Sequence, residues 1–298
     1  MISICIPVYN YDAVPLVRSL AAQAGEVEGG AELVCIDDCS SAEWRQCNVS
    51  LSELGRYVEL EENVGRARIR NMFLDYAQGD YLLFLDVDSE VGEGFLRRYA
   101  EALRERPAVV VGGRVYDKRG NNPAHRLRYL YGTQVESKSA AWRTAHPYRS
   151  FMSNNFVVSR DVLQRILFDE DVVRYGHEDT LFGYRLEQNG IPILHIDNPV
   201  VNGEVETNAD FLAKTREGVV SLSEIDRKLR GEPMFRQRVR LLDAYDRLCR
   251  WHLTAPVKWL YLLLRRPLES HFLAGESISV TQLNFYKLGY LIQSIHTH

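Results

Sequence analysis

Two acidic clusters are the first candidates for chemistry in this chain. In YLLFLDVDSE, an apolar run from Tyr81 to Leu85 delivers two carboxylates, Asp86 and Asp88, separated by one residue. Like charges this close repel unless solvent or a cation lies between them, and oxygen-only ligands favour a hard ion such as Mg2+ or Mn2+. A competing reading makes Asp88 and Ser89 the cap of a helix over EVGEGFLRRYAEALRERP. Asp-Val-Asp alone does not choose between metal and cap. The second cluster, Glu178 and Asp179 in FDEDVVRYGHEDTLFGYRLEQNG, opens a helical pattern closed by Asn189 and Gly190. There the acids also suit the first turn, beside the positive end of the helix dipole.

The elements that must position these residues alternate strand, loop and helix. Ile2 to Pro7 is a short β-branched run, and Asp12 is placed to cap a helix with Val14, Leu16, Val17, Leu20 and Ala21 on its buried side. Leu33 to Ile36 is a second strand, with Asp37 and Asp38 at its carboxyl end. Tyr57 to Leu60 is a third, followed by ENVGRARIRN, in which Gly65 permits a tight turn into a helix. The Tyr81 to Leu85 run is long enough in apolar residues to be a strand buried on both faces. Successive units of this kind predict an α/β fold with a doubly wound, mostly parallel sheet, and ligands of such sheets gather beyond the carboxyl ends of the strands. A fifth strand is expected over Ala108 to Gly112. Regularity then fails between Gly113 and Phe151, a stretch rich in Arg, Tyr, Asn and Gly that reads as a long loop or lid. SNNFVVSRDVLQRI gives a strand with Asp161 as the helix cap, and Ile193 to Ile196 a last strand. Beyond Asn208 the apolar spacing turns helical.

Bulk properties narrow the function classes. The chain has 298 residues, 46% hydrophobic and 26% charged, enough for a substantial core. A net charge of -4 makes no whole-chain case for nucleic-acid binding. The five cysteines are odd in number and show no Cys-x-x-Cys spacing, so a disulfide framework or zinc ribbon is not expected, and reduced thiols in a cytoplasm fit best. Met1 leads directly into a strand, without the regions of a signal peptide. The longest apolar stretch near the end, Trp259 to Leu264, falls far short of the roughly 20 residues needed to span a bilayer.

SICIPVYN, CIDDCS, ENVGRARIRN, FLDVDS, SNNFVVSR and YGHEDTLFGYRL occur in an order and spacing that resemble the inverting family-two glycosyltransferases, over about residues 1–220. The resemblance implies a nucleotide-diphosphosugar domain of the A-type glycosyltransferase fold over 1–220, with a C-terminal helical extension over 221–298. It implies transfer of a sugar from a nucleotide carrier, here a UDP-sugar, to the hydroxyl of a glycan or lipid-linked glycan during surface polysaccharide synthesis. Pro7, Val8 and Tyr9 would then face the base, with Asp38 accepting from uracil, since a pyrimidine needs a flat contact and an acceptor. The alternative is that Tyr9 packs and Asp38 caps. Asn63, Gly65 and Arg70 would line the nucleotide pocket, the alternative being a surface helix with solvated arginines. Asp86 would face the ribose and Asp88 would hold a divalent metal, Mn2+ or Mg2+, against the diphosphate. Asp179 matches the general base. His177 and Glu178 would contact donor or acceptor, and Asn154 and Asn155 would bond sugar hydroxyls or else form a turn.

The chain departs from this pattern in HIDNPVVNGEVETN, where Asn202 stands at the place of a histidine metal ligand. A carboxamide binds metal more weakly than imidazole. Asp88 and the phosphates would then hold the ion, or His195 would substitute; otherwise His195 is a core residue. From Asp226 to Leu268 eleven Lys or Arg stand against four Asp or Glu. RQRVRLLDAYDRLCRWHLTAPVKWLYLLLRR joins an amphipathic helix to a Trp, Tyr and Leu cluster flanked by Lys258, Arg265 and Arg266, suited to an anionic membrane surface or to packing and homodimer contact. Two further function classes compete: a sugar nucleotidyltransferase, for which PVYNYD lacks the Gly-rich basic loop, and a catalytically weak sugar-nucleotide-binding scaffold, suggested by Asn202.

Overall fold

The computed structural model describes residues 1–149, 151–203 and 205–295. Elements follow in the order β1 (Ile2–Val8), α1 (Val14–Ala24), β2 (Ala31–Asp37), α2 (Ala42–Asn48), β3 (Arg56–Glu59), α3 (Gly65–Tyr76), β4 (Tyr81–Leu85), β5 (Ser89–Glu90) and α4 (Phe95–Leu103). Then come β6 (Val109–Val111), β7 (Arg114–Tyr116), α5 (Arg126–Tyr131), α6 (Ala140–Ala145), β8 (Asn155–Ser159), α7 (Arg160–Arg165), α8 (Glu178–Gln188), β9 (Ile193–His195) and β10 (Val200–Asn202). The remainder is helical: α9 (Asn208–Lys228), α10 (Pro233–Arg238), α11 (Arg240–Arg250), α12 (Thr254–Ala274) and α13 (Val280–Ile295).

Two compact units share these elements. The first comprises 1–115, 137–173 and 178–203; the second comprises 116–136, 174–177 and 204–298. The expected division at 220 and 221 therefore shifts, because α9 runs unbroken through that point.

In the first unit a seven-stranded sheet has the order β3-β2-β1-β4-β8-β6-β9. The first four strands are parallel, with Ile4 opposite both Leu33 and Leu83, while β8 runs antiparallel between β4 and β6. The chain winds outward from β1 in both directions, so the order reverses between β1 and β4. In doubly wound sheets such a reversal is where ligands bind, beyond the carboxyl ends of the two strands.

The period-two rule explains why the strands are apolar on both faces. Leu83 and Leu85 join Ile2, Ile4 and Ile6 in one core, covered by α1 and α4; Leu82 and Phe84 point into a second, covered by α3, α7 and α8. Phe84 stacks on Phe156 at 5.1 Å, and Phe168 on Phe182 at 4.1 Å. Each such side chain contributes roughly 1.5–3 kcal/mol by leaving water.

Three local expectations are corrected. The helix after Asp88 begins at Phe95 with Gly94 before it, and Ser89 starts β5 instead, so Asp88 caps nothing. Ser159, not Asp161, caps α7, its hydroxyl accepting the Val162 N–H; Asp161 stands in the first turn. The stretch read as a loop between Gly113 and Phe151 carries β7, α5 and α6, and Arg143 on α6 is buried. Its mixed composition hid short helices whose polar residues bond inward.

In the second unit, α12 and α13 pack with α5 and α9 around Leu127, Leu212, Tyr261, Phe272, Leu283 and Tyr286. Among the described residues no helix is long and apolar enough to cross a membrane.

Candidate active site

At the end of β1 the chain turns through Asn10, whose φ of 47° is left-handed. The Asn10 N–H donates to Ser40 Oγ at 2.8 Å, and its Oδ1 accepts the Ser41 N–H at 2.9 Å, lacing this loop to the one after β2. Tyr9 at the tip is 54% exposed, so it does not pack into the core. Asp38, by contrast, is buried. Its carboxylate accepts the Val64 N–H at 2.6 Å and the Gly65 N–H at 3.1 Å, while Asn63 Nδ2 donates to its carbonyl at 3.0 Å. Asp38 thus caps α3 from a neighbouring loop; burial raises its pKa and the two amides counter that rise. Gly65, at φ +79°, supplies the turn that aims those amides.

At the end of β4, Asp86 is partly exposed and Asp88 lies beside β10, where Asn202 Nδ2 donates to Asp88 Oδ2 at 2.8 Å. The antiparallel pairing of Asn202 with Ser89 sets this register, and the Gly203 N–H bonds the Asp88 carbonyl at 3.1 Å. A side chain at Gly203 would strike Glu90. Burial and the charge of Asp86 push the Asp88 carboxyl up; Arg114 and the Asn202 bond pull it back. Arg114 went unnoticed in the sequence because it sits in the stretch read as a loop. It is the cation that β7 brings toward Asp88.

Arg70 joins the two acidic clusters. Nearly buried on α3, it places Nη2 3.2 Å from Asp86 Oδ1 and Nη1 3.3 Å from Glu178 Oε1, above the Phe168 ring. One guanidinium therefore spans the β4 end and the α8 start. The solvated-arginine reading suits Arg68, about half exposed; Arg66, equally exposed, still reaches Glu178 at 3.8 Å, and Arg70 is buried. Asn71, one residue on, fixes the approach to α8: its amide bonds the Phe168 carbonyl at 3.0 Å and its Oδ1 the Phe168 N–H at 2.9 Å.

Glu178 is buried against Arg70 and Arg66, so the structure gives it an ion-pairing place in the protein. Asp179 is half-buried. Its Oδ1 accepts the Thr180 N–H at 2.6 Å, and no described protein group bonds its Oδ2. Burial, with Glu178 adding, pushes this carboxyl up to about 7. His177, at φ 69°, belongs to the second unit, where burial and Lys287 lower its ring to about 3 and keep it neutral.

One candidate is corrected, and one alternative is decided. Asn155 is fully buried, accepts from Tyr99 Oη at 2.6 Å and donates to the Gly113 and Asn198 carbonyls at 2.8 and 2.9 Å, leaving nothing for a sugar. His195 is equally committed: Nε2 donates to the Pro147 carbonyl at 3.0 Å and Nδ1 accepts from Arg143 at 3.1 Å, so it is a core residue rather than a substitute ligand. Asn154 differs. It is buried beside Asp86, whose N–H bonds its carbonyl at 3.2 Å, yet its Nδ2 has no partner.

Among the described residues no group of three or more His, Cys, Asp or Glu could hold a metal. Asp86 and Asp88 remain as two carboxylates whose mutual repulsion a cation would relieve. That fits a Mg2+-like ion, which characteristically takes one or two carboxylates and completes its shell with substrate phosphates and water.

The comparisons with known proteins agree with this fold. A putative teichuronic acid biosynthesis glycosyltransferase, TuaG of Bacillus subtilis, is 38% identical over 78 residues, 25% of this chain and 31% of that protein. An uncharacterized glycosyltransferase of Haemophilus influenzae is 29% identical over 189 residues, 61% of this chain and 70% of that protein. The chain spans about a third of TuaG and 16% of the chondroitin synthase of Pasteurella multocida that it also matches. Among solved structures, the mannosyltransferase PcManGT of Pyrobaculum calidifontis, in complex with GDP-Man and Mn2+, has a TM-score of 0.60 at 16% identity, covering 99% of this chain and 86% of that one. S. aureus TarS 1-349 with UDP-GlcNAc has a TM-score of 0.52 at 18% identity, covering 99% and 91%. The fold is that of the A-type glycosyltransferases. The model of glycosyl transferase family 2 matches residues 3–167, more than half of the sequence, and the chain belongs to that family.

Proposed function

We propose that the chain is an inverting, metal-dependent glycosyltransferase that moves a sugar from a UDP-sugar to an acceptor hydroxyl in bacterial surface polysaccharide synthesis. The observation that carries the proposal is Arg70, whose single guanidinium holds the β4 and α8 acids within reach of one sugar nucleotide. Tyr9 offers an exposed ring for the base, and Asp38 keeps lone pairs for the ring N–H after capping α3. Pro7, Asn63 and Gly65 shape that pocket, while Val8 is fully buried in the core behind it and touches no ligand. Asp86 faces the ribose and the Asn154 amide donates to a sugar hydroxyl.

Asp179 Oδ2 takes the proton of the acceptor hydroxyl as that oxygen attacks the anomeric carbon. The bond to the diphosphate oxygen breaks on the opposite face, its electron pair leaves with the nucleotide, and configuration inverts. A carboxylate titrating near 7 is well matched to this task, and such a base contributes about 10²–10⁴ in rate. Mn2+ or Mg2+ held by Asp88 would neutralise charge on the departing diphosphate. Asn202 presents its amide N–H to Asp88 and so orients that carboxylate. A nucleotide-sugar donor supports a cytoplasmic location for the reaction.

Family membership and the intact Asp179 weigh against a non-catalytic scaffold. The nucleotidyltransferase alternative has no Gly-rich loop after β1. A thermal-shift screen of nucleotides with and without Mn2+, followed by mass analysis of products, tests the reading. UDP with Mn2+ should raise the melting temperature, and Asp88→Ala should remove most of the metal-dependent part. An equal shift with and without metal overturns the role given to Asp88.

A further inference from the structure

The long helix α12 of the second unit is apolar on both sides, and only one side is covered. Tyr261 and Phe272 are fully buried against α13, where a Cβ on Gly289 would collide with the Tyr261 ring. On the outward side Trp259, Leu260, Leu262, Leu263 and Leu273 are exposed, Trp259 by 69% and Leu263 by 60%. Their spacing along the helix forms a stripe, not a scatter of single apolar residues. Trp251 and Leu253, just before α12, are exposed as well.

Charge identifies what covers the stripe. Leu262 and Leu263 line a depression of about 380 Å³ together with Arg265, Arg266 and Glu269. Glu269 is engaged by Arg265, Arg216 and the Tyr286 hydroxyl, so the local acid is internally neutralised, while Lys258 borders the stripe and the exposed Arg266 lies within it between Leu263 and Leu273. A second copy of the chain, packed about a twofold axis, would bring these cations against each other. An anionic surface would neutralise them. The charges on α12 also exclude insertion across a bilayer, consistent with the absence of a spanning helix among the described residues.

We propose that α12 docks flat on an anionic phospholipid surface, with Trp259, Leu262 and Leu263 entering the headgroup–acyl boundary and Lys258 and Arg266 contacting lipid phosphates. The proposal does not depend on sugar transfer. Flotation of the full chain with vesicles of phosphatidylcholine alone, or of phosphatidylcholine with phosphatidylglycerol, tests it. The chain should float with the anionic vesicles and less so at high salt. Trp259→Glu with Leu263→Glu should weaken partitioning by roughly tenfold or more, and Lys258→Glu with Arg266→Glu should abolish the preference for anionic lipid. Unchanged circular-dichroism melting would show that the variants fold. Failure of the parent to float with either vesicle, or equal flotation of parent and folded variants, overturns the proposal. So does light scattering that shows a dimer which the Trp259 and Leu263 variant splits.

Discussion

The acid pair that ends β2 and the pair that follows β4 begin alike, as carboxylates at the carboxyl ends of strands in one sheet, and Glu178 and Asp179 join the second from the first turn of α8. Their surroundings separate them. Asp37 is fully buried and saturated: the Ser40 N–H reaches Oδ1 at 2.7 Å and the Tyr57 hydroxyl reaches Oδ2 at 3.1 Å. Asp38 gives one lone pair of each oxygen to a backbone N–H at the start of α3 and keeps the others. Asp88 and Asp179 are pushed up chiefly by burial, with the neighbouring Asp86 and Glu178 carboxylates adding to it. A fully buried strand-end acid whose two oxygens are met by protein donors, as Asp37 is, holds the fold; one that keeps an oxygen or lone pair open retains capacity for a ligand.

The sharpest break of this contrast is Asp179→Asn, which should keep donor binding and lose transfer by about 10²–10⁴, measured under saturating donor. Unchanged transfer would remove Asp179 as the base. For the parent, kcat should rise with pH through about 7 as Asp179 ionises. Stability should move the other way. The folded chain keeps a proton on Asp179 that the unfolded chain releases near 3.8, so this contribution is complete below that value and lost as pH rises through about 7. Asp179→Asn should therefore be more stable than the parent above pH 7, by on the order of 1 kcal/mol after allowance for a half-exposed group.

Arg70→Lys comes next, because an ammonium cannot span two carboxylates as a guanidinium does. Transfer should fall roughly tenfold to a hundredfold, a loss of about 1.4–2.7 kcal/mol of transition-state stabilisation. Retention of full activity would separate the two acidic clusters. Asp37→Ala should act on the other side of the comparison. It strands the Ser40 N–H and Tyr57 hydroxyl and should cost about 1–3 kcal/mol of stability in denaturant melts, with the metal dependence of UDP binding preserved. The smallest effect is expected of Asn202→His, which exchanges an amide donor for an imidazole ligand. Apparent Mn2+ affinity, read by titration with UDP, should tighten on the order of fivefold.

Short-range pattern made much of this molecule legible. The apolar run into Asp86, the β-branched run into Tyr9 and the Gly65 turn each signal their element through residues within a few positions. The Gly113 to Phe151 region was not legible, because its helices are held by distant partners. Arg143 donates to the carbonyls of Val111, Gly112 and Ile196 as well as to His195. Asn154 and Asn155 show the limit most plainly. They are adjacent and identical in type, yet one is saturated by Tyr99, Gly113 and Asn198 while the other keeps an unpaired amide.

Sequence alone determined the alternation of strand and helix, the acids at the strand ends and the ordered motifs, since these depend on local periodicity and residue type. Tertiary structure alone decided that Asp88 is no cap, that His195 belongs to the core, that Arg70 ties Asp86 to Glu178, and that one face of α12 stays uncovered. Each of those outcomes depends on which distant groups reach a side chain and exclude water from it, and that is settled only when the sheet and helices pack.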